Sequence, residues 1–180
     1  REPRKPLIPY ADILREIIES QQRNKLILDI LKKECPGHCS LVLSKRVGHC
    51  GHLAKMLADV APSLKIAVIH GKMSKKQREE TIEKMKNGKL DILFAVNIAK
   101  EGLDIPRLDR LFLVCSGRNE AEVEQMVGRI QRASPGKEDA VVFDFVDEKI
   151  GMFQAQYWAR RRVYKKLGMI PGKSKKEAIS

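Results

Sequence analysis

A chain of 180 residues, 43% hydrophobic and 32% charged, has room for one well-buried globular domain and little more. No apolar run approaches the ~18–20 residues of a membrane helix, and no secretory signal is read before the fold. A soluble, cytoplasmic protein with no membrane partner is therefore expected. Thirty-five Lys and Arg against 23 Asp and Glu leave a net charge of +12. That excess points to polyanionic partners, nucleic acid being the commonest, although a merely soluble basic protein shows the same balance.

Residues 1–9 hold three prolines and three basic side chains and read as a linker. From Tyr10 to Glu34 the spacing is helical, with Ile13, Leu14, Ile17 and Ile18, then Leu26, Ile27, Ile30 and Leu31. Short apolar runs follow at 41–43, 66–69, 92–96, 111–114 and 140–145. Amphipathic stretches fall between most of them, at about 47–60, 74–87 and 119–132. Continuous apolar runs imply strands covered on both faces. Their alternation with helices implies right-handed crossovers and a mostly parallel sheet, an α/β fold of about five strands. A last helix is expected over about 150–167, and the tail from Pro171 to Ser180 reads as loose and basic.

Cys35, His38, Cys39, His49, Cys50 and His52 crowd one stretch and raise the question of a metal. The strand expected between the two groups holds its ends roughly 15 Å apart, too far to share one zinc, so no metal site is expected. Nor is a disulfide, in an intracellular protein.

In parallel sheets of this kind, working residues gather in the loops after the strands' carboxyl ends. Here those loops carry Ser44-Lys45-Arg46, His70-Gly71-Lys72, Asn97 to Pro106, and Ser116-Gly117-Arg118, an edge built to meet an anion. Two segments there carry the chemistry. At ~100° per residue, Val123, Val127 and Ile130 share one helix face, and Gln125, Arg129 and Arg132 share the opposite one. Arginine's rigid fork suits phosphate oxygens, though a solvated basic face has the same spacing. In the second segment a buried strand leads to Gly102, which permits close backbone approach, and to Asp104 before the stiff exit at Pro106. That carboxylate suits a ribose hydroxyl, or else stabilises the loop itself.

Residues 101–106 resemble motif V of the superfamily 2 helicases. Gln125, Gly128, Arg129 and Arg132 resemble the Q-x-x-G-R-x-x-R of motif VI, residues 41–46 resemble motif IV, and His70-Gly71 with Arg78 resembles the H-G-x6-R element between them. The resemblance, over about residues 40–145, implies the second RecA-like domain of an ATP-dependent helicase or translocase. It divides the chain into a linker and N-terminal helices (1–34), the domain itself (35–170) and the tail (171–180). Arg132 would then be the arginine finger reaching the γ-phosphate of ATP held on a first RecA-like domain upstream of Arg1, with Arg129 and Gln125 supporting it. Asp104 would touch the ribose and Gly102 would shape its loop. Ser44, Lys45, Arg46, Lys72, Val96 and Asn97 would face the nucleic-acid backbone, and a capping box at Ser74 and Gln77 would present helix amides to a phosphate. DEAD-box RNA helicases carry His where this chain has Gln125 and Arg where it has Glu101. DNA is therefore the expected track, as in repair helicases, restriction-enzyme motors and phage translocases, in a bacterial or phage setting. Arg110, at the entrance to the fourth strand, is a reference arginine away from that edge.

The sequence contains no G-x-x-x-x-G-K-[ST] loop. Gly168 to Ser174 comes within one residue of it but follows an Arg-rich helix in the tail. The run from Val142 to Glu148 imitates a magnesium-holding strand, but it reads as the last core strand followed by helix-start carboxylates. ATP and Mg²⁺ would accordingly be held mainly by the first domain, and this chain alone is expected to be inactive. The final helix sets Phe153, Tyr157, Tyr164 and Leu167 at core spacing, with Arg161, Arg162, Lys165, Lys166 and Trp158 elsewhere on it. Such groups either stack bases and hold backbone or form ordinary packing beside a solvated face. Two alternatives stand beside the motor half: a non-catalytic nucleic-acid-binding module with the same fold, and a Rossmann-like enzyme, against which the missing G-x-G-x-x-G counts.

Overall fold

Five short strands, β1 (Ser40–Ser44), β2 (Ile66–Ile69), β3 (Ile92–Val96), β4 (Arg110–Leu113) and β5 (Val141–Asp144), form one sheet in the order β2-β3-β1-β4-β5. Every pairing is parallel. Among the described residues six helices accompany them: α1 (Tyr10–Glu19), α2 (Gln21–Glu34), α3 (Val47–Val60), α4 (Lys75–Lys86), α5 (Glu120–Ile130) and α6 (Gly151–Lys166). This computed structural model describes residues 8–96, 103–115 and 120–172. Each strand and helix lies where the apolar runs and amphipathic stretches place it. The linker at 1–7 and the tail from 173 lie outside the described residues.

The pleat sorts the core into two layers, because successive strand residues point to opposite faces. Leu41, Leu93, Ala95, Leu111 and Leu113 face α5, together with Met85 of α4 and Val163 of α6. Val42, Ile92, Phe94, Phe112 and Val114 face α2 and α3 through Ile27, Leu31, Leu53 and Leu57. β1, β3 and β4 are therefore wrapped on both sides, and Phe94 and Phe112 are fully buried. α2 is part of this packing through Ile27, Leu28 and Leu31.

The periodic stretch from Tyr10 to Glu34 breaks into two helices at Ser20. Its backbone turns extended (φ −63°, ψ 108°), and its hydroxyl accepts from Arg23 N at 3.3 Å as the α2 cap. Just past the end of α4 comes Gly88, whose φ of +73° only glycine adopts freely, and a side chain there would meet Arg107 at 3.0 Å.

At the sheet's amino edge, Arg110 is no bystander. It is 7% exposed, and it donates to Asp139 at 2.6 Å and to the Asp109 carbonyl at 3.1 Å. Asp109 in turn accepts from Cys39 N at 3.0 Å and lies 2.8 Å from His38 Nδ1. Arg110 lies far from the carboxyl edge, as expected, yet its buried guanidinium joins Asp109 and the more exposed Asp139 in an ionic cluster. Its replacement would test folding, so it cannot serve as a neutral reference.

Candidate functional site

Because all five strands run the same way, their carboxyl ends share one edge, and the loop after β1 is anchored there by a chain of buried polar groups. Asn24 Nδ2 donates to the Ile18 carbonyl at 2.8 Å, which turns its Oδ1 towards His49 Nε2 at 3.0 Å. Nε2 must therefore carry the proton, and Nδ1 accepts from the Ser44 hydroxyl at 2.8 Å. The Ser44 oxygen also accepts from Arg46 N at 3.5 Å. Burial, reinforced by Arg23 and His52, pushes His49 down to about 4, so the ring is neutral at physiological pH. Ser44, 4% exposed, points into this network and not outward to a ligand. Its neighbours do reach the surface. Arg46 is exposed at the N-cap of α3. Lys45 donates to the Tyr10 hydroxyl at 3.0 Å and lies 5.5 Å from that ring's centroid.

The loop after β2 exposes Lys72 and leads into α4 through a complete capping box. Ser74 Oγ accepts from Gln77 N at 3.2 Å, and Gln77 Oε1 accepts from Ser74 N at 3.0 Å. The Arg78 guanidinium donates to the Met73 carbonyl and closes the turn that follows His70. Val96 ends β3 half-buried, while Asn97 and Gly102 lie outside the described residues.

α5 divides much as its periodicity implies. Val123, Met126, Val127 and Ile130 are buried and Gln125 is exposed. Arg129 is half-buried and donates to the Leu103 carbonyl at 2.8 Å, fixing the segment beside Asp104. Arg132, just past α5, donates to Asp104 Oδ1 at 3.4 Å, with the two side chains 63% and 66% exposed. Two segments nearly thirty residues apart thus meet through the side chains expected to touch one nucleotide. An ion pair this open to water is worth little, about 0–1 kcal/mol. It holds Arg132 near Asp104 without committing it there.

Asp144, at the end of β5, is already fully engaged. Arg160 grips both its oxygens at 2.8 Å, and the Tyr164 hydroxyl donates to it at 2.7 Å. Burial, then this carboxylate, raises the Tyr164 phenol, so it stays protonated. Asp147 does not start α6, whose first turn holds no acid. It accepts from Arg23 at 2.8 and 3.1 Å, while Arg23 also donates to the Val114 carbonyl at 2.7 Å. The first turn of α2 thus steadies two parts of the edge at once, Asn24 beneath the β1 loop and Arg23 across the ends of β4 and β5. Sequence reasoning passed over both. A signal was there: Asn24 continues the stripe of Leu28 and Leu31 at helical spacing, a polar group on an apolar face.

The cysteine–histidine stretch is taken up by packing and hydrogen bonding. Burial pushes the Cys35, Cys39 and Cys50 thiols up to about 12, while His38 and His49 are held by Asp109, Ser44 and Asn24. Among the described residues, no helix is long and apolar enough to cross a membrane.

Comparison with known proteins gives the family of the chain. Residues 22–134 match the model of the helicase conserved C-terminal domain. "Putative helicase 22" of Sulfolobus islandicus filamentous virus is 32% identical over 139 residues, 76% of this chain and 24% of that protein. The pre-mRNA-splicing ATP-dependent RNA helicase PRP28 of Yarrowia lipolytica is 30% identical over 63% of this chain and 19% of its own length. The structure of T4 UvsW superposes with a TM-score of 0.66 at 16% identity, covering 88% of this chain and 35% of that one. The chain thus spans about a quarter or less of these curated relatives' lengths. Relatives include both ATP-dependent DNA and ATP-dependent RNA helicases, so the family match does not divide along the choice of nucleic acid. The chain belongs to the helicase conserved C-terminal domain family, as a second RecA-like domain of the superfamily 2 helicases.

Proposed function

We propose that this domain is the C-terminal half of an ATP-driven motor that translocates along or unwinds nucleic acid, with DNA as its track. The observation that carries the reading is the meeting of Arg132 with Asp104 at the carboxyl edge, exposed and only 3.4 Å apart, beside an Arg129 already pinned to Leu103. In such motors the phosphates need a cradle, a carboxylate to hold magnesium, and an arginine to meet charge as it develops. This chain supplies the arginine. Asp144 has the sequence look of the magnesium carboxylate, but it is occupied by Arg160 and Tyr164. ATP with Mg²⁺ would therefore sit mainly on a first RecA-like domain of the same polypeptide. Arg132 and Gln125 would face it across the cleft, and Asp104 would receive a ribose hydroxyl.

Lys45, Arg46 and Lys72 lie exposed or half-exposed on the same edge and suit backbone phosphates. Support for DNA comes from Gln125 and Glu101, which replace the His and Arg usual in DEAD-box RNA helicases. The experiment compares this chain with the longer protein that contains it, each incubated with ATP, Mg²⁺, and DNA or RNA. The longer protein should release phosphate in response to DNA, and this chain should not. Nucleic-acid-stimulated turnover by the chain alone, persisting through purification, would overturn the half-motor reading, and stimulation by RNA alone would overturn the choice of DNA.

A further inference from the structure

The cations of α6 fall into two groups. Arg160 is buried against Asp144, Arg162 donates to Glu120 at 3.0 Å and Lys166 donates to Glu124 at 2.7 Å. The faces of α6 towards β5 and α5 are thereby neutralised. Arg161 and Lys165 lie on the outer side, where no carboxylate among the described residues is within ion-pair distance of either.

Trp158 lies one turn before Arg161 on the same side. At 3.6 residues per turn, Gln154, Trp158, Arg161 and Lys165 form a single stripe, and all four are exposed, Trp158 by 47%. The Arg161 guanidinium sits 5.0 Å from the indole centroid, and the Tyr157 ring braces it at 5.7 Å, tilted by 48°. A large aromatic left half in water, with two unneutralised cations in the turns that follow it, is complementary to one kind of partner, a flexible polyanion that also carries flat, stackable rings.

We infer that this stripe is a second nucleic-acid contact, in which a base of a single strand stacks on Trp158 while Arg161 and Lys165 hold the adjoining phosphates. Every base has a π-face, so the contact is indifferent to sequence. Its position suits a strand leaving the sheet edge. α6 starts just past β5, and Phe153 in its first turn lies 6.3 Å from the Tyr10 ring that receives Lys45. Trp158 follows roughly 7.5 Å further along the helix, on another face. The inference rests on the reading that the domain binds nucleic acid, and the test separates the two.

Trp158 is the sole tryptophan of the 180-residue chain, so the chain's emission reports this site directly. The chain is titrated with a fluorescein-labelled oligothymidylate of roughly ten to sixteen nucleotides, with anisotropy and tryptophan emission read together. Emission should change saturably, with the midpoint given by anisotropy. Trp158→Ala should weaken binding at least about fivefold and Trp158→Phe should restore most of the loss. Arg161→Ala combined with Lys165→Ala should lower the salt slope by about 1.4, two phosphate contacts on a single strand. Lys45→Ala with Arg46→Ala should weaken binding yet leave the emission change in place. Binding without any change in emission, and with Trp158→Ala as tight as the parent, overturns the inference and leaves the nucleic-acid reading intact. Absence of binding by anisotropy overturns both. Trp158 shielded from a soluble quencher in the longer protein without nucleic acid would mark the stripe as a domain contact, which also overturns the inference.

Discussion

Acid should weaken this domain in part through His49, whose ring is 1% exposed and held between Ser44 and Asn24. Burial, then the charges of Arg23 and His52, lowers its titration from the ordinary 6.5 to about 4. The unfolded chain, with its ring in water, takes up the proton near pH 6.5. Between those values the unfolded state binds more protons, so stability is full above pH 6.5 and is lost as the pH falls towards 4. Each pH unit is worth about 1.4 kcal/mol, which over the window amounts to about 3 kcal/mol. That is a large share of the ~5–15 kcal/mol that holds a domain together. With the ring this buried, solvent screening removes little of it. The assay is urea unfolding followed by circular dichroism at pH 7, 6 and 5, on the parent and on His49→Gln. The variant should start less stable, having lost its fit to Ser44 and Asn24, but its stability should fall by about 1 kcal/mol less per pH unit. Carboxylates contribute equally to both proteins, so the difference in slope isolates His49. Parallel curves would refute the buried, neutral ring.

Two further outcomes follow from the same geometry. Asp144→Asn removes the charge that meets a guanidinium 3% exposed and should cost about 3–5 kcal/mol, lowering the melting temperature by roughly 6–20 °C in calorimetry. An unchanged melting temperature would mean that the Arg160 pair is absent and Asp144 is open to other duty. Joint replacement of Lys45, Arg46 and Lys72 by Ala should lower the salt slope of duplex binding by up to about 0.9 for each phosphate these side chains neutralise. An unchanged slope in anisotropy titrations would place the nucleic-acid track elsewhere.

The architecture was legible because burial on both faces leaves continuous apolar runs, and such runs alternating with amphipathic stretches admit few parallel topologies. β2, β3 and α3 could be bounded almost to the residue on that basis. The break at Ser20 was harder to see, since apolar periodicity continues on both sides of it and only the serine cap divides the helices. At the edge, residue type and spacing located Arg129, Arg132 and Asp104, but not their division of labour. That Arg129 is spent on a backbone carbonyl depends on how closely residue 103 approaches α5, a tertiary distance. Ser44 illustrates the reverse case. A hydroxyl after a strand suggests a ligand contact, and only the position of His49, one helical turn on, draws it inward. Arg110 and Arg160 show that a strand-end or helical arginine can be buried when a carboxylate from a distant segment meets it, which sequence spacing does not reveal.

The central claim is that Arg132 acts on ATP held by another domain, and ATP turnover of the longer protein carrying Arg132→Ala tests it most directly. The side chain is 63% exposed and its ion pair with Asp104 is weak, so the fold should survive its truncation. An arginine finger meets charge that develops as the γ-phosphoryl group departs, so nucleotide affinity should change much less than turnover. Arg132→Ala should lower turnover roughly 10³-fold or more, and Arg132→Lys should not restore it, because an ammonium lacks the planar fork. Arg15, 64% exposed on α1 and paired only with Asp12 among the described residues, is the reference, and Arg15→Ala should leave turnover intact. Comparable, mild losses at Arg132 and Arg15 would contradict the account.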